Sequence, residues 1–179
     1  ISAVRFAKGQ DLPISVKGGG HNIAGMAVED DALLIDLSTM NSIRVDPAAK
    51  TARVEPGVVL NELDHETQAF GLAVPAGYNS TTGIDGLTLG GGWGWLSRKH
   101  GLTVDNLVSA DIVTADCELV HASEDENADL FWGLRGGGGN FGIVTSFEFR
   151  LHEVGPTVLS GPIVHPFENA EAVLSGYRD

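Results

Sequence analysis

Apolar positions recur along this chain in short runs separated by turn-forming segments. Pro13–Val16 and Ala32–Leu37 (ALLIDL) read as short buried strands. Ser42–Val45 and Thr51–Glu55 flank the turn segment DPAAK and predict a β-hairpin with a longer loop. From Gly57 to Phe70 the spacing of Val59, Leu63 and Phe70 suits one face of a helix, with Gly71 as its stop. Leu107–Thr114 and Glu118–His121 predict paired strands about the turn ADC. Ser123 followed by Glu126 has the form of a capping box, so a helix is expected from there to about Arg135, ending on Gly136. Thr145, Phe147, Phe149 and Leu151 alternate with Ser146, Glu148 and Arg150, the signature of a half-buried strand. Ile1–Gln10 reads as the tail of a helix, and Ala170, Val173, Leu174 and Tyr177 place an amphipathic helix over Phe167–Asp179. Strands outnumber helices and hairpins mix with crossovers. The expected class is α+β, without internal repeats, and the half-finished apolar stripe at the end implies a piece of a longer polypeptide.

Charge and composition narrow the chemistry. At 179 residues the chain is one domain, or one domain with part of another. The 24 acidic residues against 11 Lys and Arg, a net charge of −13, argue against a nucleic-acid or anionic-membrane partner, since both favour clustered cations. No apolar run reaches the ~18 residues of a membrane span, and no basic, apolar leader opens the chain. Cys117 is the single cysteine, so neither an internal disulfide nor a cysteine metal cluster is possible. The six histidines share no ligand spacing, which argues against zinc. A soluble, cytoplasmic protein with a small-molecule partner is the expectation.

Glycine changes the picture. The 24 glycines are about 13% of the chain, against a usual ~7%, and most fall in three blocks. Glycine costs folding entropy, so dense glycine in an apolar chain marks strained turns or close approach of backbone to a ligand. Val16–Asn22 (VKGGGHN) can present consecutive amides to an anion, with Lys17 adding a positive charge; by itself it is equally a turn carrying a loop histidine. Ser80–Gly94 (STTGIDGLTLGGGWG) offers hydroxyls and bare backbone, and is equally a glycine-rich packing segment. Gly137–Gly142 (GGGNFG) matches G-x-G-x-x-G, but a helix precedes it and a strand follows, the reverse of the dinucleotide-binding order. The Rossmann reading is therefore rejected, and a tight helix-to-strand turn remains the plain alternative.

These three blocks in this order, with RKHGLTVDNL (Arg98–Leu107) between the second and third, resemble the PCMH-type FAD-binding domain of berberine bridge enzyme-like oxidases, in the vanillyl-alcohol oxidase superfamily. The resemblance covers about residues 1–154 and implies two α+β subdomains holding FAD between them. It implies phosphate contacts at Lys17, Gly18, Gly19 and Gly20, and again at Ser80, Thr81, Thr82 and Gly83. It places Gly142, Ile143 and Val144 on the adenine and ribose side. The segment Gly90, Gly91, Gly92, Trp93 and Gly94 would lie near the isoalloxazine, and Asn22, Asn79, Gly86 and Asn106 complete the expected cofactor-binding residues. His21 matches the histidine that bonds the flavin 8α-methyl carbon. Many relatives add a second tether through a cysteine in G-x-C-x-x-x-G; here that stretch is Gly77–Gly83 and Asn79 takes the cysteine's place, so one covalent link is expected. Trp93 is an even choice between flavin wall and core packing, and Trp95 is expected in the core.

Residues 155–179 resemble only the start of the family's substrate domain. The base that accepts the substrate proton is therefore expected elsewhere in the polypeptide, and this piece alone is expected to be inactive. The activity implied is hydride transfer from a small-molecule substrate to flavin N5, with dioxygen as the final acceptor. Alternatives of other kinds are a dehydrogenase, an NADPH-using reductase of the same superfamily, and a non-catalytic flavin-fold interaction module.

Overall fold

A computed structural model describes all residues from Ile1 to Asp179. After the amphipathic helix α1 (Ser2–Gly9) the chain enters β1 (Ile14–Lys17), which pairs in parallel with β2 (Leu33–Asp36). The hairpin β3 (Ile43–Asp46) and β4 (Thr51–Val54) follows, then α2 (Leu60–Gln68) and the short β5 (Leu72–Ala73). Next come α3 (Ile84–Leu89), α4 (Ser97–His100), β6 (Leu107–Val113) and β7 (Leu119–Ser123). The last elements are α5 (Ala128–Leu134), β8 (Ile143–Arg150), β9 (His152–Glu153) and α6 (Ala170–Arg178).

The main sheet has the order β3-β4-β8-β6-β7, antiparallel throughout. Strand β8 is at its centre, and its Val144, Phe147 and Phe149 are all buried. They pack with Val54, Ile112 and Ala122 from neighbouring strands and with Leu60, Leu63 and Phe131 from α2 and α5. The opposite face is stitched by charge. Arg53 reaches Asp111 at 2.9 Å and Glu148 at 3.7 Å, and His121 meets Asp111 at 2.7 Å. Partly exposed pairs of this kind are worth little one by one, but they fill the polar half of the alternation.

Three expectations need correction. Helix α5 begins at Ala128, not at Ser123: the Ser123 hydroxyl accepts from the amides of Asp125 and Glu126, closing a turn before the helix, and Asn127 enters the helix with φ of 50°. Phe70 does not extend the buried face of α2, which ends at Gln68. It is exposed, and Leu60, Leu63 and Thr67 form that face. The alternation of β8 slips at its start, since Ile112 pairs with Val144 and Asp111 with Ser146. Thr145 is the extra residue of that bulge, and Val144 is the one buried. The other boundaries agree to within a few residues, including the ADC turn, where Cys117 takes φ of 65°.

Helix α6 lies at the surface with Leu174 and Tyr177 exposed. No helix is long and apolar enough to cross a membrane.

Candidate functional site

All three glycine blocks converge on one cavity of about 640 Å³. One wall is β1 and the loop after it: Ile14, Val16, and Gly18 through Asn22. The second is the start and inner face of α3: Thr82, Gly83, Asp85, Gly86, Leu87, Leu89 and Gly90. The third is the turn before β8, with Gly138, Gly139, Asn140, Gly142, Ile143 and Val144. Leu37, Met26, Ala27 and Glu29 complete the lining.

The first two walls meet at a glycine crossing. A Cβ on Gly19 would stand 2.6 Å from the Cα of Gly83, and one on Gly83 would stand 2.8 Å from the Cα of Gly19. Neither position tolerates a side chain, because what each would strike is backbone. The loop Asn79–Gly83 is itself held from behind: the amides of Leu60 and Asn61 donate to Thr82 and Ser80 carbonyls, each at 3.0 Å. The amides of Gly20 and His21, by contrast, find no backbone acceptor. Gly86 and Gly139 show the other reason for glycine. A Cβ there meets nothing within 4 Å, so bare backbone forms the wall and leaves room beside it.

The electrostatics are less basic than the sequence suggests. Lys17 does not line the cavity; its ammonium pairs with Asp36 at 2.8 Å and pulls that carboxyl down to about 2. Asp85 is the half-buried acid of the site, whereas Glu29 is exposed. Burial raises its pKa, opposed by the amides of Gly86, Asp85 itself and Gly19, which lie against the carboxylate. It therefore joins the loop after β1 to the start of α3. At the rim His21 is exposed, and its Nε2 lies 3.0 Å from Thr81 Oγ1. Asn22 turns its side-chain oxygen to the Met26 amide at 3.1 Å.

Of the predicted site residues, the cavity gathers Gly18 to Asn22, Thr82, Gly83, Gly86, Gly90, Gly142, Ile143 and Val144. It does not gather Lys17, Asn79, Ser80, Thr81, Gly91 to Gly94 or Asn106. Gly92 instead gives room to Thr103, and Gly94 to the Ala76 carbonyl. Trp93 and Trp95 are 64% and 82% exposed and lie edge-on to Tyr78, so the core reading of Trp95 is wrong. Asn106 is buried and braces a loop, donating to the His100 and Leu102 carbonyls and bonding His152 Nε2 at 2.6 Å. Asp85 escaped the sequence reading although it sits inside a quoted motif. The signal was there: one acid, in the first turn of a helix opened by a glycine two residues before it. Met26 and Glu29 had no signal, since only the folding back of their loop brings them to the cavity.

The chain matches the model of a family described as FAD binding domain over residues 1–123. It is 43% identical over 159 residues to (R)-6-hydroxynicotine oxidase of Paenarthrobacter nicotinovorans, which covers 89% of this chain and 35% of that protein. Among solved structures, Physcomitrella patens BBE-like 1 superposes with a TM-score of 0.81 at 39% identity, over 84% of this chain and 34% of that one. The Acremonium strictum glucooligosaccharide oxidase, whose structure reveals a novel flavinylation, superposes with a TM-score of 0.81 at 41% identity, over 84% and 32%. The chain thus spans about a third of the length of the curated relatives it matches.

Proposed function

From the premise that the chain belongs to the FAD binding domain family, we propose that it is the cofactor-holding part of an FAD-linked oxidase. Residues 1–154 form the cofactor unit, and residues 155–179 begin the substrate domain. The observation that carries this reading is the crossing of Gly19 and Gly83 beside a cavity of about 640 Å³, inside the ~300–1,000 Å³ usual for small-molecule and cofactor sites. A dinucleotide fits such a site: it needs bare backbone where Gly86 and Gly139 supply it, and amide donors where Gly20 and His21 leave theirs unclaimed.

Bound FAD supplies the hydride acceptor for oxidation of a small-molecule C–H group, and dioxygen takes the electrons onward. This chain's residues bind and orient it. The loop Gly18–Gly20 and the pair Thr82 and Gly83 hold the pyrophosphate, and Gly142, Ile143 and Val144 line the adenine and ribose side. Asp85 keeps the two walls in register through the amides beside it. His21 is the tether to the flavin 8α-methyl carbon. Asn79 cannot form a thioether, so the tether is single. The substrate base comes from outside this chain.

The test is acid precipitation of the full-length polypeptide, followed by a visible spectrum and intact mass of the washed pellet. Flavin that stays with the protein and is lost in His21→Ala is the expected result. Flavin released to the supernatant would leave FAD binding and remove the tether. No flavin in either fraction after addition of FAD would overturn the oxidase reading.

A further inference from the structure

His21 carries two ring nitrogens, and a tether can form only through one that bears a lone pair. Which nitrogen that is follows from its neighbours, by a chain of hydrogen bonds that starts from an unambiguous donor. The backbone N–H of Thr81 points at the Asn79 side-chain atom Oδ1 at 3.0 Å, so that atom must be the amide oxygen and not the NH₂. The same oxygen lies 2.9 Å from the Thr81 hydroxyl. An amide oxygen only accepts, so the single hydroxyl hydrogen of Thr81 is directed at Asn79. What Thr81 Oγ1 then offers to His21 Nε2, 3.0 Å away, is a lone pair. The imidazole must donate. Nε2 carries the hydrogen and Nδ1 is the free base.

This contact is also the single hydrogen bond the His21 side chain makes. The residue is exposed in a loop opened by three glycines. A hydrogen bond through Nε2 therefore sets both the proton and the ring's placement.

We propose that Asn79 and Thr81 are positioning residues that hold His21 in its Nε2–H tautomer, so that Nδ1 is the nitrogen joined to the flavin. This rests on the reading of His21 as the flavin tether. In the balanced step, a methyl C–H and the imidazole N–H are exchanged for one C–N bond. The two electrons and two protons released reduce the flavin, and dioxygen removes them as hydrogen peroxide. The proton held at Nε2 leaves to the solvent that already reaches this exposed ring. Asn79 is thus the acceptor that orders this proton chain.

The experiment follows attachment by intact mass after FAD is added to the full-length apoprotein, for wild type, Thr81→Val, Thr81→Ser and Asn79→Ala. The dissociation constant of the initial noncovalent complex is measured alongside. Attachment should slow about fivefold in Thr81→Val, the change that corresponds to about 1 kcal/mol for one hydrogen bond, with FAD affinity unchanged and with rescue by Thr81→Ser. Nitrogen-15 NMR of the flavin-bearing peptide should show the bond at Nδ1. Wild-type rates in both Thr81→Val and Asn79→Ala, or a bond at Nε2, would overturn the proposal. If wild type holds only dissociable flavin, the tether reading fails, and the nitrogen-15 spectrum of His21 in the apoprotein judges the pair separately. Nε2–H in wild type with a tautomer mixture in Asn79→Ala supports it, and identical spectra overturn it.

Discussion

The crossing of the two glycine loops yields the sharpest prediction. In Gly19→Ala the new Cβ would stand 2.6 Å from the Cα of Gly83, where carbon atoms ordinarily rest ~3.5–4.0 Å apart. The loops must part by about 1 Å, and neither side yields readily. Gly83 bridges to Val59, and the next residue donates from its amide to the Val58 carbonyl at 2.9 Å. Gly19 lies two residues beyond the parallel ladder of β1 and β2. Overpacking of this kind costs about 1–3 kcal/mol. With a urea m-value of about 2–3 kcal/mol per molar, a 2 kcal/mol loss lowers the unfolding midpoint by about 0.7–1 M. Gly86→Ala is the matched contrast. Its Cβ meets nothing and the residue lies inside α3, so removing helix glycine should stabilise the apoprotein by about 0.5–1 kcal/mol. Yet Gly86 lines the cavity, and the same methyl should weaken FAD binding by about tenfold, or 1.4 kcal/mol. Urea titration followed by far-ultraviolet circular dichroism, with FAD titration by fluorescence, reads both quantities. A Gly19→Ala protein with the wild-type midpoint, or a Gly86→Ala protein that is both less stable and unchanged in FAD affinity, would refute the reasoning.

Two further predictions concern pH. Burial raises Asp85 above its ordinary 3.8, so the folded state binds more protons than the unfolded one in the window above that value. The charge therefore costs stability as pH rises from about 4 toward the raised folded value, and the cost persists above it. Asp85→Asn should remove this loss and tighten FAD binding at neutral pH, since it takes a negative charge away from the glycine loops proposed to hold the pyrophosphate; unchanged pH dependence in urea titrations would contradict the assignment. His100 and His152 stack with ring centroids 3.9 Å apart, and burial first, then neighbouring cations, lowers both from 6.5. The unfolded chain then binds more protons below that value, so stability should be full above about 6.5 and fall as the solution is acidified. His152→Gln should flatten the decline, and a midpoint independent of pH between about 7 and 5 in wild type would rule out the stack as its source.

The sequence determined the elements and the ligand. Phe147 and Phe149 alternate with charged neighbours, and this local pattern is legible because a strand's period depends only on its own residues. The glycine blocks were legible for a related reason: glycine in quantity has few other uses than bare or strained backbone. Tertiary structure decided what each glycine is for. Gly19 serves contact with Gly83, Gly86 the cavity, and Gly94 the Ala76 carbonyl, and no window of sequence separates these uses. It also decided that Lys17 neutralises Asp36 instead of facing a phosphate, that Asp85 joins two walls, and that the Ser123 hydroxyl closes a turn instead of capping a helix. Side-chain chemistry says what a residue can do. Which partner it meets depends on chain segments brought together from dozens of residues away, as Thr81 is to His21, and only the packed fold sets that distance.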